Sequence, residues 1–133
     1  MKKLLTLLLT CIFLLAVQAQ KIANPYLLKM RNGDRLPVAN IDPIGWPSFY
    51  QSQKPVINKV ACLLQFETIP SAANVKLLQS IGIELGEYVD GRSYRAVFSS
   101  DPGWEKLKQV GVRASFVLSP AEKLSADLYR GNY

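Results

Sequence analysis

The sequence predicts an α+β fold, a four-stranded antiparallel sheet with two helices on one face, and three observations predict it. From Lys59 onward the hydrophobic patterns run strand, helix, strand, strand, helix, strand. The two halves of that order repeat: with Gly82 aligned on Gly111, Leu78 falls on Leu107, Ile81 on Val110 and Ile83 on Val112. The two middle strands are joined at Asp90-Gly91, a pair that tolerates the positive φ of a tight hairpin turn. A doubled strand-helix-strand unit of this kind folds as a ferredoxin-like βαββαβ sandwich.

The elements follow in order. Lys2 and Lys3 precede an apolar run from Leu4 to Val17, shorter than the roughly 20 residues of a spanning helix, and Val17-Gln18-Ala19 has the small residues of a signal cleavage site. Residues 1–19 therefore read as a signal peptide removed after Ala19, which makes the expected location secreted, periplasmic or cell-surface. An uncleaved anchor is disfavoured by the short run, and a lipoprotein site at Cys11 by Thr10 before it and the apolar residues after it. Residues 20–58 carry prolines at 25, 37, 43, 47 and 55, a spacing that denies a long helix or a central strand. An extended arm is expected there, with turns at Asn32-Gly33 and Ile44-Gly45, a short strand near Tyr26 to Arg31, and Trp46, Phe49 and Tyr50 laid on the next segment or on a partner.

Val60 to Phe66, VACLLQF, is nearly continuous in apolar residues, as in a strand buried on both faces. Ser71 is placed to cap a helix running to about Ile81 with Val75, Leu78 and Ile81 at helical spacing, and Gly82 suits a left-handed helix end. Ile83 to Val89 and Ser93 to Ser99 are strand-like, with a bulge expected at Gly86. Asp101-Pro102 reads as the start of a second helix carrying Trp104, Leu107 and Val110, closed by Gly111. Val112 to Leu118 is the last strand, with Ala114, Phe116 and Leu118 on one face. The sheet face away from the helices should then present Arg95 and Val97 beside Arg113, Ser115 and Val117, a surface polar enough for water and apolar enough to dock. Residues 59–118 form the compact domain in this reading, and residues 119–133 a C-terminal tail.

Composition bounds the function. The chain has 133 residues, 16 Lys plus Arg against 10 Asp plus Glu, two Cys and no His. Without imidazole, neither a Ser-His-Asp nor a Cys-His catalytic set exists within it, and the chain reads as non-enzymatic. After signal removal Cys62 stands alone, so no internal disulfide is expected, and its place in the central strand makes it a buried, unreactive thiol. No metal or other cofactor is expected. The mild positive balance is scattered, which argues against a nucleic-acid interface. Glu84, Glu87 and Asp90 read as solvated edge residues, and Gly82 and Gly86 lack the Lys-Ser/Thr of a phosphate loop.

The stretch QFETIPSAANVKLLQSIGIELGEYVDGRSYRAVF, with Gln65, Phe66, Ile69, Pro70, Gly82, Tyr88 and Tyr94, resembles the N-terminal, propeptide-like domain of secreted subtilisin-type serine proteases. VGVRASFVLSPAEKLSADL is similar to that domain's closing strand and tail, and LLKMRNGDRLP to a segment that can precede it. The resemblance implies an intramolecular chaperone and inhibitor that docks its open sheet face, Arg95, Val97, Arg113, Ser115 and Val117, on a protease catalytic domain in cis or in trans. It also implies that the tail, with Pro120, Lys123, Leu124, Ser125 and Leu128, enters the substrate cleft as an added strand. No catalytic domain follows in the sequence given. A protease fragment and a ferredoxin-like module for a small ligand are the alternatives.

Overall fold

The computed structural model describes residues 23–123. The signal segment, and Leu124, Ser125 and Leu128 of the tail, lie outside the described residues. Eight elements follow in order: α1 (Gly45–Ser52), β1 (Val60–Phe66), α2 (Ala72–Ser80), β2 (Ile83–Tyr88), β3 (Ser93–Phe98), α3 (Trp104–Gln109), β4 (Val112–Phe116) and a single turn, α4 (Pro120–Lys123). The strands make one antiparallel sheet in the order β2-β3-β1-β4. That order, with α2 and α3 as the two crossovers, is the ferredoxin-like arrangement. No helix among the described residues is long and apolar enough to cross a membrane.

Local chemistry explains the elements. Ser71 Oγ accepts a hydrogen bond from Asn74 N at 3.2 Å and starts α2, and Gly82, at φ +85°, ends it. Asp101 does not cap α3. Its carboxylate accepts from Gly103 N at 2.9 Å and from the Trp46 indole at 2.8 Å, and the helix begins at Trp104. The β2–β3 turn sits one residue later than the sequence suggests, with Gly91 and Arg92 both at positive φ and Ser93 N donating to Asp90 O at 2.9 Å. The register of β2 slips between Leu85 and Tyr88, which places the expected bulge around Gly86.

The main core lies between sheet and helices: Val60, Cys62, Leu64, Phe66, Ile83, Ala96, Phe98 and Val112 from the strands meet Leu78, Leu107 and Val110. Residues 23–58 belong to this structure and are not extended throughout. Their hairpin, bridged at Leu28 and Arg35, lies on the sheet face opposite the helices. The chain then passes the outer edge of β4, where Asn40 N donates to Arg113 O at 3.3 Å, Asn40 Nδ2 to Ser115 O at 2.9 Å, and Ser115 N to Asn40 Oδ1 at 2.7 Å. Past that edge it joins the helix layer, burying Ile41 and Trp46. The Trp46 ring centroid is 5.5 Å from that of Phe98 and 5.4 Å from that of Tyr50. The arm thus straps β4 from one face to the other and satisfies an edge that would otherwise be open to pairing.

Helix α1 forms despite its prolines because of where they fall. Asp42 Oδ1 accepts from Ile44 N at 2.8 Å and Gly45 N at 2.6 Å, which holds its carboxyl below the usual carboxylate range. Pro43 precedes the helix and Pro47 is its third residue, inside the first turn, where a missing N–H costs no intrahelical bond.

Candidate functional site

The face of the sheet away from α2 and α3 is built from alternate residues of each strand. Because Leu63 pairs with Arg95 and Phe116, Ala61 with Val97, Gln65 with Ser93 and Ala114, and Val97 with Glu84, these side chains share it. One of the expected residues is elsewhere and another is covered. Between Gln65 and Phe66 the register of β4 slips by one, so Val112 faces the helices while Ala114 and Phe116 turn to the opposite face. Ser115 therefore shares a side with Leu64, is buried, and is held by Asn40. Arg113 is half-buried and committed within the fold: it donates to Gln65 Oε1 at 2.5 Å and Pro37 O at 3.0 Å, and its guanidinium lies 4.4 Å from the Tyr26 ring centroid. Neither presents a docking surface on this face.

Much of the face is covered from within the chain. Leu28 is fully buried against Leu63 and Phe116, and Met30, Val89 and Leu118 pack around them. Gln65, also fully buried, donates to Tyr26 O and Gly91 O at 2.8 Å each, so the arm is hydrogen-bonded directly to the central strand. The approach is close: a Cβ on Gly91, whose φ is +53°, would stand 2.9 Å from Tyr26 O. Lys29 N adds a bond to Asp90 Oδ2 at 2.6 Å.

The tail begins differently from the extended segment expected at Ser119. Pro120 to Lys123 forms the α4 turn, closed by a reciprocal capping box in which Ser119 N donates to Glu122 Oε2 at 2.7 Å and Glu122 N to Ser119 Oγ at 3.3 Å. Arg35 ties this turn to the arm, donating to Glu122 Oε2 at 3.0 Å and Val117 O at 3.0 Å while its guanidinium lies 4.9 Å from the Phe116 ring centroid. Asn32 Nδ2 donates to Ala121 O at 2.6 Å. The Ser119 amide and hydroxyl, with the Arg35 charge, hold the Glu122 carboxyl below its usual range against a smaller opposing effect of burial.

A groove of about 480 Å³ remains uncovered, with Ala61, Leu63, Val97, Val117 and Leu118 as its apolar lining and Arg95 and Lys123 as its cations. Val117 is 41% exposed and Arg95 is exposed, so of the five expected face residues Arg95, Val97 and Val117 do line an open surface. Lys123 reaches it from α4, and Pro120 is the first residue of that turn. Exposed ion pairs border it, Arg95 with Glu87 at 3.9 Å and Lys59 with Glu84 at 3.8 Å, each worth little by itself.

The carboxylates noted in the sequence are dispersed: Glu84 faces Lys59, Glu87 faces Arg95 and Asp90 accepts from Lys29. Among the described residues no three Cys, Asp or Glu side chains gather in a way that could hold a metal ion. Cys62 is buried in the main core, and burial pushes its thiol up to about 12. The residues that cover the face, Tyr26, Leu28 and Arg35, had one partial signal in the sequence, the Asn32-Gly33 turn between two short apolar stretches. Nothing in that pattern says on which face the hairpin lands.

By fold and surface this is an α+β domain of ferredoxin-like topology whose second sheet face is part strapped, part open. The chain belongs to the family described as Domain of unknown function (DUF8729), whose model matches residues 28–119. That span takes in the hairpin and α1 together with the sheet. No curated protein and no solved structure matches the chain.

Proposed function

We propose that this chain is a secreted, non-catalytic partner of a subtilisin-like serine protease, acting as chaperone and inhibitor in cis or in trans. One observation carries the reading: the uncovered apolar groove adjoins Lys123, the residue from which the tail departs. A protein docked on Ala61, Val97 and Val117 would have the tail at its margin. Residues from Leu124 onward, with Leu124, Ser125 and Leu128, then add as a strand in the substrate cleft, where main-chain hydrogen bonds give affinity and alternate side chains choose pockets. Pro120 and Lys123 position that strand and do not form part of it, since they are helical.

The test is a titration of the chain, without residues 1–19, into a fluorogenic assay of a secreted subtilisin-type protease from the same organism. Stoichiometric, reversible inhibition is expected. A folded, uncleaved chain that leaves the protease fully active overturns the reading.

A small-ligand module is the second reading, favoured by the strap itself, which narrows the face to a groove with two cations at an apolar lining. It expects a long-chain carboxylate to raise the melting temperature and the protease to be unaffected.

A further inference from the structure

The segment that leads into β1 carries an apolar tip that the fold does not use. Val56 N donates to Lys59 O at 2.8 Å and Lys59 N to Val56 O at 3.0 Å, closing a two-residue hairpin whose central residues, Ile57 and Asn58, have φ of +51° and +59°. Such a turn selects Asn, Asp or Gly at both centres. Asn58 satisfies that rule, whereas Ile57 is β-branched and strained in the left-handed region. Nothing inside the domain offsets the strain, because Ile57 is 91% exposed and its neighbour Val56 is 71% exposed. A strained backbone carrying an unburied aliphatic side chain is a mark of a site selected for something other than stability.

The tip also continues the open sheet face. Val60 points to the helices, so Lys59 and Ala61 point the other way, and Val56, paired with Lys59, shares their side. Lys59 Nζ lies 3.8 Å from Glu84, which is on that face opposite Val97. Groove and tip therefore form one surface, with Lys54 and Lys59 flanking the tip in sequence.

Resting on the protease-docking reading above, we infer that Val56–Lys59 is a preorganised recognition tip whose Ile57 side chain fills an apolar, acid-rimmed pocket on the surface of the protease. The backbone is fixed before binding, so little conformational freedom is lost when the tip seats. A single rigid side chain suits a concave protein pocket; one or two aliphatic side chains hold a lipid surface no better than marginally.

The experiment compares the wild-type chain from Gln20 with its Ile57→Asn and Ile57→Leu variants, reading melting temperature and the Kd for a serine-inactivated subtilisin-type protease. Ile57→Asn should raise the melting temperature by about 3 °C or more, through relief of strain, while weakening binding about 10- to 100-fold. Ile57→Leu, apolar but not β-branched, should bind within about threefold of wild type. Unchanged affinity in Ile57→Asn while the wild type binds overturns the tip and leaves the docking reading standing. Wild-type chain that fails to bind the protease overturns both. A concentration-dependent dimer that Ile57→Asn dissolves would place the tip between copies of this chain and overturns the proposal as well.

Discussion

Replacing Trp46 by alanine should cost about 3–5 kcal/mol, the usual range for emptying a buried aromatic site. Trp46 is only 1% exposed, it packs against Phe49, Tyr50 and Phe98, and its indole N–H donates to Asp101 at 2.8 Å. These contacts come from a segment that composition alone assigns to an arm, so the magnitude discriminates. A strap integral to the core gives the full loss, about 12 °C or more in melting temperature for a domain of this size. A strap that merely rests on the surface gives under 1 kcal/mol. Trp46→Phe isolates the hydrogen bond, and because Asp101 keeps its bond from Gly103 N the expected cost is only about 1 kcal/mol beyond the lost ring area. Urea unfolding followed by circular dichroism reads both variants. An Ala variant within 1 kcal/mol of wild type would refute the reasoning and return residues 23–58 to the status of an appendage.

Three more outcomes follow from the same contacts. The latch between α4 and the arm should depend on pH: Glu122 is held below its usual range in the folded state, so its contribution is present above the unfolded value near 4.5 and is lost as pH falls through the lower folded value. Amide exchange at Glu122 and Lys123 should rise in that acid window, and Glu122→Gln should show fast exchange already at pH 7. Cys62, with its thiol at about 12, should resist a thiol reagent at pH 8 in the native chain and react at once in denaturant, whereas rapid native labelling would contradict its burial. Deleting residues 124–133 should weaken protease inhibition at least tenfold, while the bonds from Asn32 to Ala121 and from Arg35 to Glu122, which the deletion spares, keep α4 latched to the arm.

What the sequence discloses here depends on whether a local rule decides the matter. The element order from β1 to β4, the α2 cap at Ser71 and the irregularity near Gly86 are written in hydrophobic period and in residues with one conformational use, and each is found where expected. The α1 helix was masked by its prolines, although Asp42 and the placement of Pro43 and Pro47 are features of a helix start. The capping box Ser119-Pro120-Ala121-Glu122 is likewise a legible helix signal inside a segment whose position suggests a tail. The facing of Ser115 was not legible. It depends on a register slip opposite Gln65 and Phe66, and a slip of one residue exchanges every later side chain between faces. Nor could the pattern show that Leu28 and Arg35 close half of the candidate site, because that contact joins residues about 80 positions apart through tertiary packing.

The uncovered face is where the functional claim stands or falls. Methyl NMR of the chain with a serine-inactivated subtilisin-type protease observes it directly, because the two sides of the sheet carry separate reporters. Docking through the groove predicts shifts or broadening at Ala61, Val97 and Val117, with Leu78 and Leu107, buried on the helix side, unaffected. Unperturbed Ala61, Val97 and Val117 methyls in a chain saturated with protease would contradict it.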